Sequence, residues 1–143
     1  MLSRNHPEGK NMIKVEITEV VLFEDDEHVS RNIKTLIELG FAIVLDDFGT
    51  GYASILALKK FDFSAIKIDQ NFIRDINDAR NVSLLKGMIS LLHSLDLEIV
   101  CEGIEQESQL KFLCEQHWGL GQGFYYAKAF PRKELLAYYN KHG

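Results

Sequence analysis

Residues 41–52 read Phe-Ala-Ile-Val-Leu-Asp-Asp-Phe-Gly-Thr-Gly-Tyr. The first five are apolar, and such a short apolar run is typical of a buried strand, here predicted over residues 41–45. Two carboxylates, Asp46 and Asp47, follow directly, and carboxylates are rare in buried strands unless they are paired or bind a metal. Adjacent side chains point to opposite faces of a continuing strand, so the aspartate pair is expected where the strand ends.

The segment after the aspartates, residues 48–54, contains two glycines at a spacing of two. Glycine allows unusual backbone angles and close approach to a ligand. The amides of this segment, followed by a helix that starts near Ser54, could hold an anion. A plain tight turn between a strand and a helix is the alternative interpretation.

Strand-like and helical patterns alternate on both sides of this stretch. Further β-rich runs cover residues 13–17, 65–69, 98–102 and, more weakly, 121–126. Apolar stripes at helical spacing cover residues 29–37, 85–95, 110–114 and 135–139. This alternation predicts an α/β fold with a parallel sheet and about five βα units. Periodicity alone does not separate a small doubly wound sheet from part of a (β/α)8 barrel of the TIM type, which takes about 250 residues.

Composition excludes several classes of protein. Of the 143 residues, 46% are hydrophobic and 26% charged, which is ordinary for a globular domain, and the net charge is −5. The negative charge argues against binding to a nucleic-acid polymer, and the apolar stretches are too short for direct membrane insertion. Cys101 and Cys114 are predicted to be buried free thiols, which suits a cytoplasmic location. The polar residues 1–12 are predicted to form an irregular lead-in.

Acidic residues recur where the predicted strands end. Glu16, the Asp46–Asp47 pair and Glu102 occupy such positions, and Lys67 and Asp69 share one face of the strand between the last two. The carboxyl ends of parallel strands meet at one edge of the sheet, where α/β folds bind ligands. Hard oxygen ligands without a suitable His or Cys set favour Mg²⁺ or Mn²⁺ over zinc. The alternative is that these side chains cap helices or pair with lysines.

Five short motifs in order carry a specific resemblance. They are Glu16-Ile17-Thr18-Glu19, Asp46-Asp47-Phe48-Gly49-Thr50-Gly51-Tyr52, Lys67-Ile68-Asp69, Glu102-Gly103-Ile104-Glu105 and Gln122-Gly123-Phe124. Together they resemble the signatures of the EAL-domain family. The resemblance implies a (β/α)8-type barrel that uses two Mg²⁺ or Mn²⁺ ions to hydrolyse cyclic di-GMP to linear pGpG in bacterial signalling.

The resemblance also assigns roles to individual residues. It implies that Glu16 and Asp46 bind the first metal, and that Asp46 bridges to a second metal bound by Asp47. Lys67 and Glu102 are similar to the residues that orient the attacking water. The remaining matches, which the resemblance places in support of the loop or the substrate, are Glu19, Asp69 and Gln122.

Several departures from the family pattern qualify this expectation. The Glu-Ala-Leu signature and a metal-binding asparagine are absent, and both would lie on strands before residue 13. Gly119 and Ala129 stand where the family has an acidic residue and a proline. We therefore expect a partial EAL domain over residues 13–143 that is inactive as this truncated chain and self-associates through unpaired strand edges. A non-catalytic cyclic di-GMP receptor, a protein-interaction module and an unrelated Mg²⁺-dependent enzyme are the alternatives.

Overall fold

Five parallel strands lie side by side in the order of the chain. The computed structural model describes residues 13–23, 27–51, 54–129, 131, 134 and 138. The strands are β1 (Lys14–Thr18), β2 (Ala42–Phe48), β3 (Ala65–Ile68), β4 (Glu98–Cys101) and β5 (Leu120–Gly121). The helices that accompany them are α1 (Glu19–Phe23), α2 (Glu27–Glu38), α3 (Ser54–Lys60), α4 (Gln70–Arg74), α5 (Ala79–Ser94) and α6 (Glu107–Glu115).

The strand order and the curvature of the sheet distinguish the two predicted architectures. A doubly wound sheet reverses its strand order at a switch point, whereas a barrel adds each strand beside the previous one, as here. Lys14 Nζ on β1 lies 3.2 Å from Glu98 Oε2 on β4, although two strands lie between. Three strand spacings in a flat sheet separate the two backbones by about 14 Å, which two fully extended side chains barely span, so the contact agrees with a sheet that curls toward this face. The fold is an incomplete α/β barrel.

The core lies between the outer face of this curved sheet and the helices. Alternate strand residues form its sheet side, as the period of two requires: Ile43, Leu45, Ile66, Ile68, Ile99 and Cys101. Helix residues that are almost fully buried cover them: Ile33, Leu85, Ile89, Leu92 and Leu113. Burial of one such side chain stabilises the fold by about 1.5–3 kcal/mol. The opposite face is left for polar groups, including Glu16 and Lys67.

The element boundaries differ from the sequence predictions at all five strands, although β1 is only displaced by one residue and β4 only ends one residue earlier. β2 runs on through the aspartate pair to Phe48, and β3 stops at Ile68 because Asp69 begins the next helix. The predicted strand over residues 121–126 was wrong, since only Leu120–Gly121 pairs and residues 124–126 form a turn. The helices α1 and α4 were not predicted, because five residues are too few to show a helical apolar period.

The predictions for the two cysteines have different outcomes. Cys101 is buried as predicted, but Cys114 is exposed. Gln109 and Leu113 mark the buried side of α6, and Cys114 lies about 100° further round the helix than Leu113. The lead-in over residues 1–12 lies outside the described residues, and of the helix predicted over residues 135–139 only residue 138 is described, as helical. Among the residues described, no helix combines the length and the apolar character needed to cross a bilayer.

Candidate metal centre

Three carboxylates converge at the carboxyl end of the sheet. One oxygen each from Asp46, Asp47 and Glu102 lies within 4.8 Å of the other two, and all three residues are partly buried. Asp46 lies in β2 beside Thr18 of β1, and Glu102 follows β4 directly, where its N–H donates to the Ile68 carbonyl at 3.3 Å. Three neighbouring strands therefore set the distances between these carboxylates.

An unusual backbone angle lets two successive residues reach the same place. Asp47 has a φ of +57°, in the left-handed region, and the pairing of β2 with β3 shifts between Leu45 and Phe48. Its N–H donates to Asp46 Oδ1 at 3.0 Å. A regular strand would send the two side chains to opposite faces, so the irregularity brings Asp47 to the side of Asp46. The pairing of β2 with β3 is interrupted at the aspartates and resumes at Phe48.

Lys67 supplies the positive charge among these groups. Its Nζ lies 2.7 Å from Glu102 Oε1, 2.9 Å from Glu16 Oε2 and 3.3 Å from Asp46 Oδ1. The side chain is only 8% exposed. Burial disfavours the ammonium, but the hydrogen bonds to Glu102 and Glu16 outweigh it and hold the pKa of Lys67 above its ordinary range. At neutral pH Lys67 is therefore a charged donor and cannot act as a base.

This crowding of negative charge disfavours the ionised form of Asp47. Burial, the nearby charges of Asp46 and Asp69 and the more distant Glu19 raise its pKa above the ordinary value, while Lys67 lowers it. A negative group placed among others in this way gains most from an added cation. A cation bound beside Asp47 would offset this repulsion.

Glu16 has a different environment from the other candidate ligands. It lies on the edge strand β1, and its side chain is 51% exposed. Its carboxylate accepts from Lys67 at 2.9 Å, whereas the group of three within 4.8 Å consists of Asp46, Asp47 and Glu102. The structure thus places Glu16 in contact with Lys67 but outside the group of three converging carboxylates.

The residues expected to support the site hold backbone in place. Glu19, 1% exposed at the start of α1, accepts from the Gly51 N–H at 2.9 Å and so fixes the segment after the aspartates. Asp69 caps α4 by accepting from the Asn71 N–H at 2.9 Å. Gln122 is exposed, and its backbone N–H donates to the Cys101 carbonyl at 2.9 Å. Glu19 and Asp69 therefore act by positioning neighbouring segments.

One buried polar residue near the site was missed from the sequence. Gln109 lies on α6 and is 4% exposed. The available signal was a glutamine one residue before the predicted stripe over residues 110–114. Such a residue also suits an ordinary solvent-facing position, so the pattern did not select it.

The converging carboxylates fit a hard divalent cation. Metal–oxygen bonds of about 2.1 Å place the ligand atoms around Mg²⁺ within about 4.2 Å of one another, so small side-chain rotations suffice from a separation of 4.8 Å. The group consists of carboxylates alone, without a His or Cys ligand. This donor set suits Mg²⁺ or Mn²⁺ and not the usual nitrogen and sulfur sites of zinc.

Comparison with known proteins agrees with this geometry. The family model for the EAL domain matches residues 1–129. The chain belongs to the EAL family. Among curated relatives of this EAL chain, the cyclic di-GMP phosphodiesterase PdeR of Escherichia coli is 37% identical over 131 residues. The cyclic di-GMP phosphodiesterase NbdA of Pseudomonas aeruginosa is 35% identical over 124 residues.

Solved structures show the same fold. The PaMucR phosphodiesterase in complex with c-di-GMP superposes with a TM-score of 0.78 at 35% identity, over 84% of this EAL chain and 49% of that one. The EAL domain of Mycobacterium smegmatis DcpA gives a TM-score of 0.80 at 29% identity, over 88% and 57%. EAL domains are metal-dependent TIM-type barrels, in agreement with the sheet topology and the acidic cluster.

Each match covers most of this chain but a much smaller share of the related protein. The matches to PdeR and NbdA cover 91% and 86% of this EAL chain but only 20% and 16% of those proteins. The chain therefore corresponds to a minor part of these relatives and to about half of the solved PaMucR and DcpA chains.

Proposed function

We propose that this chain supplies the metal-binding part of an EAL-type phosphodiesterase domain that hydrolyses cyclic di-GMP to linear pGpG. The observation that carries the proposal is the convergence of Asp46, Asp47 and Glu102 within 4.8 Å, beside the buried Lys67. Two relatives are named cyclic di-GMP phosphodiesterases, and one related solved structure is a c-di-GMP complex. The substrate is the part of the proposal that comes from these relatives.

In this proposal Asp46, Asp47 and Glu102 hold Mg²⁺ or Mn²⁺, with Glu16 available once its ion pair to Lys67 opens. The ions, when bound, would supply Lewis-acid polarisation of the phosphodiester. Lys67 stays charged and can donate to a phosphate oxygen or hold a water molecule by hydrogen bonds. Lys67 and Glu102, which lie 2.7 Å apart, orient that water together.

We further propose that these 143 residues bind metal but do not complete turnover alone. The sequence contains no Glu-Ala-Leu, and the glutamate of that signature and an asparagine complete the site that the family resemblance implies. Chromatography of pGpG tests this, with PdeR as the positive control. We expect no pGpG from the chain in Mn²⁺, and metal-dependent pGpG formation would contradict the proposed inactivity.

A non-catalytic cyclic di-GMP receptor or protein-interaction module is the second candidate. The observation in its favour is that Lys67 ion-pairs with Glu16, Asp46 and Glu102, so these side chains are held together without a metal ion. Calorimetry of this chain with cyclic di-GMP, with and without Mn²⁺, separates the candidates. Binding that does not depend on Mn²⁺ supports the receptor, and absence of binding under both conditions leaves the interaction module.

We also propose that the chain self-associates. β1 and β5 are the edges of the described sheet, and a strand edge presents unpaired backbone groups. Apolar side chains beside β1 are exposed, including Ile13 at 59% and Val20 at 73%. Two copies that cover each other's edges would bury this surface. Light scattering at micromolar concentration is expected to give at least a dimer mass, and a monodisperse monomer would contradict this proposal.

A further inference from the structure

The buried amide of Gln109 joins two segments that are far apart in sequence. Its Oε1 accepts from the N–H of Glu105 at 2.8 Å and of Gln106 at 2.9 Å. Its Nε2 donates to the Ile73 carbonyl at 3.1 Å. All three partners are backbone groups, and the residue itself is 4% exposed. The amide therefore fastens the chain before α6 to the last turn of α4.

The fastened segment carries Glu102. Residues 102–105 form neither helix nor strand, although the Glu102 N–H bonds to the Ile68 carbonyl and the Ile104 N–H to the Gln122 carbonyl. Gly103 has a φ of +70°, and a Cβ at that position would lie 2.5 Å from Gln70 Cβ. The segment thus passes directly against the first turn of α4, and Gln109 holds its far end to the last turn of the same helix.

We propose that Gln109 is a positioning residue for Glu102 in the metal centre. By holding residues 105 and 106 to α4, its amide would limit the movement of the segment that carries Glu102, whose carboxylate lies within reach of Asp46 and Asp47 and at 2.7 Å from Lys67 Nζ. The assignment rests on the proposed function in one respect, that Glu102 is a metal ligand.

The chemistry of the side chain supports a role beyond filling space. An apolar residue of similar volume would leave two N–H groups and one carbonyl without their partner, and buried polar groups left unpaired are strongly unfavourable. The segment would then move toward water to satisfy them, and Glu102 would move with it. Glutamate retains two acceptor oxygens for Glu105 and Gln106 but loses the donor to Ile73.

Two variants and a matched control test the proposal. Gln109→Leu removes all three hydrogen bonds, and Gln109→Glu removes one. Leu113→Ala lowers stability from the same face of α6, one turn further on, and removes none of these three hydrogen bonds. We would titrate each chain with Mn²⁺ by calorimetry below its unfolding temperature. In EDTA we would measure amide hydrogen exchange at Glu102, whose N–H bonds to the Ile68 carbonyl.

Loss of a group that orients a metal ligand typically weakens metal binding about 10- to 100-fold. We expect about tenfold weaker Mn²⁺ binding and several-fold faster Glu102 exchange in Gln109→Leu. Gln109→Glu should lie between it and the parent chain, within about threefold of the parent. Leu113→Ala should keep both values of the parent despite its lower stability.

Parent-like Mn²⁺ affinity and Glu102 exchange in Gln109→Leu would overturn the proposal. If the parent chain itself does not bind Mn²⁺, the proposed function fails. The exchange rate then decides on Gln109 alone, since faster exchange in Gln109→Leu supports positioning and unchanged exchange refutes it. If Gln109→Leu does not fold, Gln109→Glu decides by the same two measurements.

Discussion

Replacement of Lys67 by methionine removes the cation around which the acidic groups converge. Its ammonium lies between 2.7 and 3.3 Å from Glu102, Glu16 and Asp46. At about 3 Å and an effective dielectric constant near 20, each attraction is about 5 kcal/mol before desolvation is subtracted. Most of that is offset by the burial of the charges, but removal of one partner from a buried ion pair still costs about 3–5 kcal/mol.

We expect the lower end, about 3 kcal/mol, because Glu16 is half exposed and water screens it. For a chain of this size the loss corresponds to a fall in Tm of about 10 °C. Urea unfolding at pH 7 in EDTA, followed by circular dichroism, measures it. Lys14→Met is the matched control, since it removes the ion pair to Glu98 at the other end of the sheet. Both partners of that pair are more than one-third exposed, so it should cost less than about 1 kcal/mol.

Divalent cations give the second half of this test. The variant retains the carboxylates without the competing ammonium, so Mn²⁺ should bind it more tightly than the parent chain and narrow the stability gap. An ion present at about 100 times its Kd stabilises the folded state by about 2.7 kcal/mol. A loss in EDTA no larger than that of Lys14→Met would refute the reasoning, as would a gap that Mn²⁺ leaves unchanged.

Three further predictions follow from single residues. Because the folded state raises the pKa of Asp47, its ionisation lowers stability as the pH rises above the ordinary value of 3.8. In urea unfolding, the free energy of Asp47→Asn should therefore match that of the parent near pH 3 and exceed it by less than about 1 kcal/mol at pH 7, while the variant binds Mn²⁺ more weakly. Parent-like stability at pH 7 would count against the crowding of negative charge at Asp47. Gly103→Ala should lower the free energy of unfolding in urea by about 2 kcal/mol, because of the positive φ and the contact with Gln70. The control Gly87→Ala places no atom within 4 Å of the new Cβ and should raise it by about 0.5–1 kcal/mol, so similar values for both would contradict the close approach at Gly103. Burial raises the pKa of the Cys101 thiol to about 12, whereas Cys114 is exposed. A thiol reagent at pH 8 should therefore modify one cysteine per native chain and two after denaturation. Two rapid reactions in the native chain would show that Cys101 is accessible.

The sequence predicted most of the strands, the longer helices and the group of acidic residues at one end of the sheet, because all of these depend on residue spacing. Strand-like runs with Glu16, Asp46 and Glu102 at or near their carboxyl ends indicated parallel strands with carboxylates at one end of the sheet. Parallel strands place such residues together whatever the details of the loops. Lys67 belonged to the same prediction, since it lies on a strand between two of them.

Features that depend on backbone angles or distant contacts were not predictable in this way. The left-handed φ of Asp47 decides that both aspartates face the site, and no periodicity reports the sign of φ. The contact between Lys14 and Glu98, 84 residues apart, reports a sheet curvature that a linear pattern does not contain. The same holds for Gln109, whose Nε2 donates to the carbonyl of Ile73, a residue on the other side of α5 in sequence.

A Mn²⁺ titration of the parent chain against two charge-neutral variants tests the metal centre most directly. Asp46→Asn removes a converging carboxylate, and Glu98→Gln removes a carboxylate at the opposite end of the sheet, where it pairs with Lys14. If Asp46, Asp47 and Glu102 hold the ion, calorimetry will show Mn²⁺ binding by the parent and by Glu98→Gln, and binding at least about tenfold weaker by Asp46→Asn. Equal affinity in all three chains, or none in the parent, would contradict the assignment.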